Sequence, residues 1–286
     1  VSTTTAQTIA ARIQLHEETF TRKEKRIARV LTTGYPTAGL ETVAELGRKS
    51  EASGATILRF IGKLGFASYP EFQEALREEL TATLESPLAR YQTADARMHE
   101  GDTLAQYAGW AGMLLRQAAE MIPVAEFDEV TKLLANEKVS VHLIGGRFSR
   151  SIAEIFAFGL MGVRRHVHLV NVEARRMVAD LLEVEKKDIV VIFDFRRYQD
   201  NVIEFAGLAH EAGATLVVFT DKWQSPAAKL AHHVFALPVA GPSVYDSALA
   251  TVMCVEALIS RLAERLGASA ERRVARIEEL HGRLAE

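Results

Sequence analysis

A single cysteine, Cys254, in 286 residues rules out an internal disulfide framework and any metal site built from several thiolates. It lies in the apolar run Ala248–Ile259, where a free cysteine serves as a small buried hydrophobe. No stretch approaches the ~18 uninterrupted apolar residues of a transmembrane helix. The Ser/Thr/Ala-rich start lacks the apolar core of a secretion signal. A cytoplasmic location, away from membranes, is the expectation. Internal repeats and low-complexity tracts are absent. No sign of charge dominates either, since the net is −3; this excludes a chain that is basic over its whole surface. What is present is ordinary globular material, 48% hydrophobic and 25% charged, in a length that accommodates two domains.

The charge is unevenly placed. Phe20 to Leu64 holds nine Lys/Arg and four Glu, a net of +5, whereas Gly65 to Glu85 holds one Arg and five Glu, a net of −4. A short basic stretch in a neutral chain fits a small DNA-binding module; the alternative is a solvated helix face.

The first half reads as helices. Arg22–Leu31 has apolar residues at Ile27, Val30 and Leu31, with Thr21 as N-cap and Glu24 three residues on. Gly34, Pro36 and Gly39 interrupt it. Thr42–Lys49 is a second helix. Ser53 caps a third, Gly54–Leu64, whose Ile57, Phe60, Ile61 and Leu64 share one face, and Gly65 ends it. Glu71–Leu84 is a further helix, and another starts at Thr103 with Trp110, Met113 and Leu114 inward.

Two short helices with the second starting at Ser53 match a helix-turn-helix. Ser53, Gly54, Ala55 and Thr56 are small or hydrogen-bonding side chains at the helix start, suited to approach base edges. Arg59 and Lys63, with Arg48 and Lys49 on the preceding helix, are candidate phosphate contacts. Leu58 faces outward to a thymine methyl or packs on a neighbouring helix.

These residues resemble a known family. Ala44-Glu45-Leu46, Ala55-Thr56-Ile57-Leu58-Arg59-Phe60-Ile61-Gly62-Lys63-Leu64-Gly65-Phe66, Tyr69-Pro70-Glu71-Phe72 and Leu76-Arg77 resemble the N-terminal domain of MurR/RpiR-type regulators. Thr21-Arg22-Lys23-Glu24-Lys25-Arg26-Ile27-Ala28 resembles that family's first helix. The turn position usually held by Gly is Glu51 here.

After residue 125 the pattern changes. Apolar runs Val139–Ile144, Val167–Val170, Ile189–Phe195, Leu216–Thr220 and Val234–Pro238 alternate with helical stretches Ile152–Met161, Val202–Ala212 and Tyr245–Leu266. This indicates parallel βαβ units in a doubly wound, three-layer α/β domain. A charged amphipathic helix, Ala270–Leu284, follows. The same family's second domain is a sugar-isomerase-type (SIS) fold. Val141–Ser149, Asp188–Ile192 and Thr220-Asp221 with Ser225-Pro226-Ala227-Ala228 resemble its signature segments.

The resemblance implies that the loop after Ile192 should carry two Ser, a Gly and a Thr that cradle a phosphate. Here those positions hold Asp194, Arg196, Arg197 and Gln199, and a usual Gly of the first loop is Arg147, although Gly145 and Ser149 remain. Two readings stay open. Arg147, Arg196 and Arg197 bind an anion through their guanidinium groups, or Asp194 pairs internally with Arg196 or Arg197 and the pocket is altered or closed. Tyr198, Gln199, Ser225 and Ser243 are further candidates for this pocket.

No H-x-x-x-H spacing, G-x-S-x-G elbow or Walker loop is found. His142, His166, His168, His210, His232 and His233 are scattered, and nothing singles out Glu154 or Glu173 as a general base. No catalytic residue, metal ligand or cofactor is assigned. The expectation is an all-α helix-turn-helix domain over residues 1–85, a helical linker over 86–125 and an SIS domain over 126–286. Its function would be that of a transcription regulator binding double-stranded DNA and a small anionic, sugar-derived metabolite, as a homodimer or homotetramer. The alternatives are an SIS-type sugar-phosphate isomerase with an accessory helical domain, or a constitutive DNA binder that uses its SIS domain only to dimerise.

Overall fold

The structure, a computed structural model, describes residues 8–33, 35, 37–84 and 103–285. The chain divides into two compact units, residues 1–89 and 90–286.

The first unit is helical. Helices α1 (Ile9–His16), α2 (Arg22–Thr33), α3 (Val43–Ser50), α4 (Gly54–Lys63) and α5 (Tyr69–Leu84) enclose one core. The local signals at the helix starts are all used. The Thr21 N–H donates to Glu24 Oε2 at 2.7 Å and the Glu24 N–H to Thr21 Oγ1 at 3.4 Å, a reciprocal capping box. Thr42 caps α3 and Ser53 caps α4. Glu51 takes the left-handed turn between them, φ 50° and ψ 40°, a conformation glycine adopts without a Cβ penalty. Ile27, Leu31, Leu46, Ile57, Phe60 and Phe72 are buried, and the rings of Phe60 and Phe20 lie 5.0 Å apart. Each such side chain contributes about 1.5–3 kcal/mol of burial. Gly65, at φ +91°, ends α4 in a backbone state that favours glycine. Of the expected breakers, Gly34 and Pro36 lie outside the described residues, and Gly39 packs against Phe72.

The second unit is a five-stranded parallel sheet with helices on both faces. Its strands are β1 (Val141–Gly145), β2 (Val167–Leu169), β3 (Ile189–Phe193), β4 (Thr215–Thr220) and β5 (His233–Ala236), in the order β2-β1-β3-β4-β5. Leu143, Val191, Phe193, Val217 and Phe219 point into one helical layer. Ile144, Val190, Ile192, Leu216 and Val218 point into the other. The near-continuous apolar runs are those of strands buried on both faces. In chain order the helices are α6 (Thr103–Met121), α7 (Val124–Leu134), α8 (Arg150–Val163), α9 (Ala174–Leu182), α10 (Asp200–Glu211), α11 (Leu249–Leu266) and α12 (Ala268–Ala285).

Three expectations need correction. The second half of the expected helical linker packs onto the second unit. Leu114 and Ala118 of α6 are in the core of this unit, with Trp110 packed against it, while residues 86–102 lie outside the described residues. Met113, expected inward, is exposed. The helix expected from Tyr245 starts at Leu249, because Asp246 is drawn to Arg196 instead. Short helices α1, α7 and α9 were not expected; the apolar face of α9 is half-buried, with Met177 and Leu181 packed against the second helical layer's core.

Candidate DNA-reading helix and effector loops

In the first unit the outward face of α4 is Ala55, Leu58, Arg59 and Gly62, spaced i, i+3, i+4 and i+7. Leu58 is 50% exposed, so it faces outward rather than packing on a neighbouring helix. A Cβ on Gly62 would meet nothing within 4 Å, which leaves this face unobstructed. Gly62 was not among the expected contacts; helical spacing from Ala55 was the signal that could have found it.

The expected contacts separate into two sets. Ser53 and Ala55 are exposed at the helix start and Gly54 is half-buried. Thr56 is only 7% exposed, and its Oγ1 lies 2.9 Å from the capping Ser53 Oγ. It is part of the cap and points away from a duplex. Lys63 is held by the buried Glu24 at 2.8 Å. Burial opposes ionisation of Glu24, but hydrogen bonds from Lys63 and Thr21 outweigh it and hold the carboxyl below its ordinary range. Arg48 pairs with Glu45 at 2.6 Å and Lys49 with Glu41 at 2.5 Å. The cations of both pairs are exposed and their carboxylates half-buried, so neither pair is held deep in the fold. No described carboxylate pairs with Arg59, which is exposed.

In the second unit the candidate effector residues other than Ser243, which follows β5, lie at the carboxyl ends of β1, β3 and β4 and on the loops beyond them, where ligands sit in this architecture. A Cβ on Gly145 would lie 2.6 Å from the Ser149 carbonyl oxygen, so the first loop closes tightly there. Ser149 Oγ donates to the Phe193 carbonyl at 2.6 Å and accepts from the Gly146 N–H at 2.9 Å. It fastens the first loop to β3. The Gln199 side chain lies over Gly146, where a Cβ would come within 2.0 Å of its Nε2.

The second loop is filled by the chain's own carboxylates. Asp194, 2% exposed, accepts from Ser225 Oγ and from the Gln199 N–H at 3.4 Å. Burial, reinforced by the nearby Asp221, pushes its carboxyl up to about 6 against the hydrogen bonds. Asp221 is fully buried and accepts from the Arg196 N–H, the Trp223 N–H at 2.9 Å and the Tyr198 hydroxyl at 2.9 Å. Burial raises the Tyr198 hydroxyl and the Asp221 carboxyl as well.

Arg196 pairs with Asp246, not with Asp194. Its Nε donates to Asp246 Oδ2 at 2.7 Å, its Nη2 to Oδ1, and its guanidinium lies 5.3 Å from the Trp223 ring centre. Arg147 and Arg197 remain exposed, Arg197 with φ 65°. Of the two open readings, the internal pair forms, but from Arg196 to Asp246 rather than to Asp194, and two exposed guanidinium groups, Arg147 and Arg197, are left for an anion. Ser243 is exposed and accepts from the Tyr245 N–H.

Several histidines are committed to the fold. His142 is buried 3.3 Å from Asp188 and stacked on His168, and burial holds its imidazole below the ordinary value. His232 accepts from the Leu216 N–H. Glu154 pairs with Arg150 on the surface of α8.

Comparison with known proteins bears on both units. Residues 7–83 match the family model described as helix-turn-helix domain, rpiR family, and residues 133–261 match the SIS domain. An HTH-type transcriptional regulator of Haemophilus influenzae is 23% identical over 219 residues, 76% of this chain and 75% of that protein. One of Providencia stuartii is 22% identical over 231 residues, 79% and 77% of the two chains. Among solved structures, the Vibrio vulnificus NanR protein complexed with ManNAc-6P aligns with TM-score 0.55 and 18% identity, covering 96% of this chain and 98% of that one. The sugar isomerase domain of an RpiR transcription factor from Sphaerobacter thermophilus aligns with TM-score 0.57 and 18% identity, covering 63% of this chain and 99% of that one.

Proposed function

The chain belongs to the RpiR-type transcriptional regulators, an rpiR-family helix-turn-helix followed by an SIS domain, and on that premise we propose how it reads DNA and what it senses. Helix α4 enters the major groove with Ala55, Leu58, Arg59 and Gly62 toward the bases. Arg59 forks onto a guanine and Leu58 meets a thymine methyl. Ser53, Gly54, Arg48 and Lys49 lie at the backbone, the last two exchanging their carboxylate partners for phosphate. The observation that carries this reading is the unobstructed outward face of α4 with an unpaired arginine at its centre.

The SIS domain senses a small anionic sugar derivative. The NanR structure holds such a compound, ManNAc-6P. In this chain the ligand's anion meets Arg147 and Arg197 at the rim, because Asp194 and Asp221 already take the inner donors of the loop. Gly145, Tyr198 and Gln199 shape the pocket floor, and Ser149, Ser225 and Arg196 position it. The domain acts as a sensor and not an enzyme; Glu154 is engaged on an exposed helix face and supplies no base to the loops. Among the described residues no helix is long and apolar enough to cross a membrane, and a regulator of this kind works in the cytoplasm. Two copies pair through the SIS domain, so that ligand binding changes the spacing of two recognition helices and hence operator affinity.

One experiment tests both halves. Duplexes are selected from a random pool with the full chain, and ManNAc-6P and a panel of sugar acids are then titrated into the complex. Sequence-selective binding is expected, weakened by Arg59→Ala about 10- to 100-fold, the worth of a bidentate base contact. No selective binding would overturn the DNA reading. The internally filled loop favours a second reading, a constitutive binder; selective DNA binding that no anion alters would establish it.

A further inference from the structure

Of the nine Lys/Arg between Phe20 and Leu64, four are held by carboxylates. Glu51 holds Arg26, Glu45 holds Arg48, Glu41 holds Lys49 and Glu24 holds Lys63. No described carboxylate pairs with Arg22, Lys23, Lys25, Arg29 or Arg59. Four of these five free cations are on α2, not on the helix-turn-helix that follows it.

Their placement is ordered. Arg22, Lys25, Arg26 and Arg29 fall at i, i+3, i+4 and i+7, opposite the buried stripe of Glu24, Ile27, Ala28 and Leu31. With Gln14 and Glu17 they line a groove of about 540 Å³, in which Glu17 is the one carboxylate. The arrangement works against the helix. Arg22, Lys23 and Lys25 crowd its start, where the helix dipole repels cations. Arg22 with Arg26, and Lys25 with Arg29, are like-charge pairs one turn apart. Helix α3 has the favourable arrangement, Glu45 in its first turn and Arg48 and Lys49 in its last. Glu24 in the first turn and Glu51 beside Arg26 offset part of this, but no described carboxylate pairs with Arg22, Lys23, Lys25 or Arg29, and that unpaired charge is matched to an external polyanion.

We propose that the basic face of α2 is a second DNA-contacting surface, holding the sugar-phosphate backbone beside the bases read by α4; this rests on the DNA-binding reading above. Three observations select the occupant. The Arg26–Glu51 ion pair joins this face to the turn that leads into α4. Arg22 to Arg29 spans about 10 Å of helix axis, against one duplex charge per ~1.7 Å. The groove also has no aromatic anchor among its lining residues, whereas an acidic protein partner would call for an apolar centre to the interface.

The test uses the full chain and its selected duplex, with affinity measured across a salt series. The triple variant Arg22→Gln, Lys25→Gln, Arg29→Gln is expected to lower the slope of log K against log salt by about 2 to 3 per bound domain, with the selected sequence unchanged. Its melting temperature should equal or exceed the wild type's, because repulsion within α2 is relieved. A folded triple variant with an unchanged slope would overturn the proposal, including in favour of an acidic protein partner, while leaving the reading of α4 intact. Wild-type protein that selects no duplex would instead remove the reading on which the proposal rests.

Discussion

Asp194 stands where related loops carry a hydroxyl, and it behaves as a built-in anion. Its carboxylate accepts the hydrogen bonds of Ser225 and the Gln199 N–H, donors of the kind a ligand's phosphate would use. The arrangement has a pH signature. Burial lifts the carboxyl from 3.8 to about 6, so the fold disfavours its charged form. Stability linked to this group is fully present below pH 3.8 and is lost as pH rises through 6. Asp194→Asn keeps the shape without the charge. It is expected to stabilise the chain by about 1–3 kcal/mol at pH 8 and by about half as much at pH 5, read from thermal melts at both values. Equal destabilisation at the two pH values would show that the carboxylate's hydrogen bonds outweigh its burial.

At the scale of elements, Arg164 shows how one side chain closes a junction. It ends α8, is completely buried, and donates to the carbonyls of Leu134 at 2.6 Å, Val139 at 2.5 Å and Asn136 at 3.3 Å. These carbonyls belong to the end of α7 and the connection into β1, where helix carbonyls lack partners of their own. Burial lowers the basicity of the guanidinium, yet the fork satisfies three acceptors at once. Arg164→Met is expected to cost about 2–4 kcal/mol, because it leaves several buried carbonyls without a donor. Arg164→Lys should recover less than half, because an ammonium cannot reproduce the planar fork. Urea unfolding checks both; full rescue by lysine would show that charge alone suffices.

At the scale of the molecule, the second unit leaves apolar surface uncovered. Ile155 and Phe158 project from α8, Phe158 with 79% exposure, and Phe148 lies exposed just before the helix. Contiguous exposed apolar surface marks an interaction site, and a regulator reading paired half-sites needs two copies. The wild type is therefore expected to sediment as a dimer or larger. Phe158→Asp is expected to sediment as a monomer and to lose at least 100-fold in operator affinity while keeping its helical circular dichroism. A variant that remains dimeric would place the self-association surface elsewhere.

The sequence by itself determined the helix-turn-helix and the five strands with their order, but not helices α1, α7 and α9. Thr21 with Glu24, Ser53 and Gly65 act within four residues of the backbone groups they satisfy, and the runs of the three central strands β1, β3 and β4 are buried on both faces. Such signals are local, so they are legible without coordinates. Tertiary structure decided which charged side chains are free. Arg196 finds Asp246 fifty residues on, Asp194 finds Ser225 thirty-one residues on, and Lys63 turns back thirty-nine residues to Glu24. A long charged side chain goes to whichever opposite charge or hydrogen-bond partner the fold brings within reach, and sequence spacing does not encode that distance. The basic stretch seen in the sequence was therefore real, but only the fold showed that its unpaired charge lies chiefly on α2.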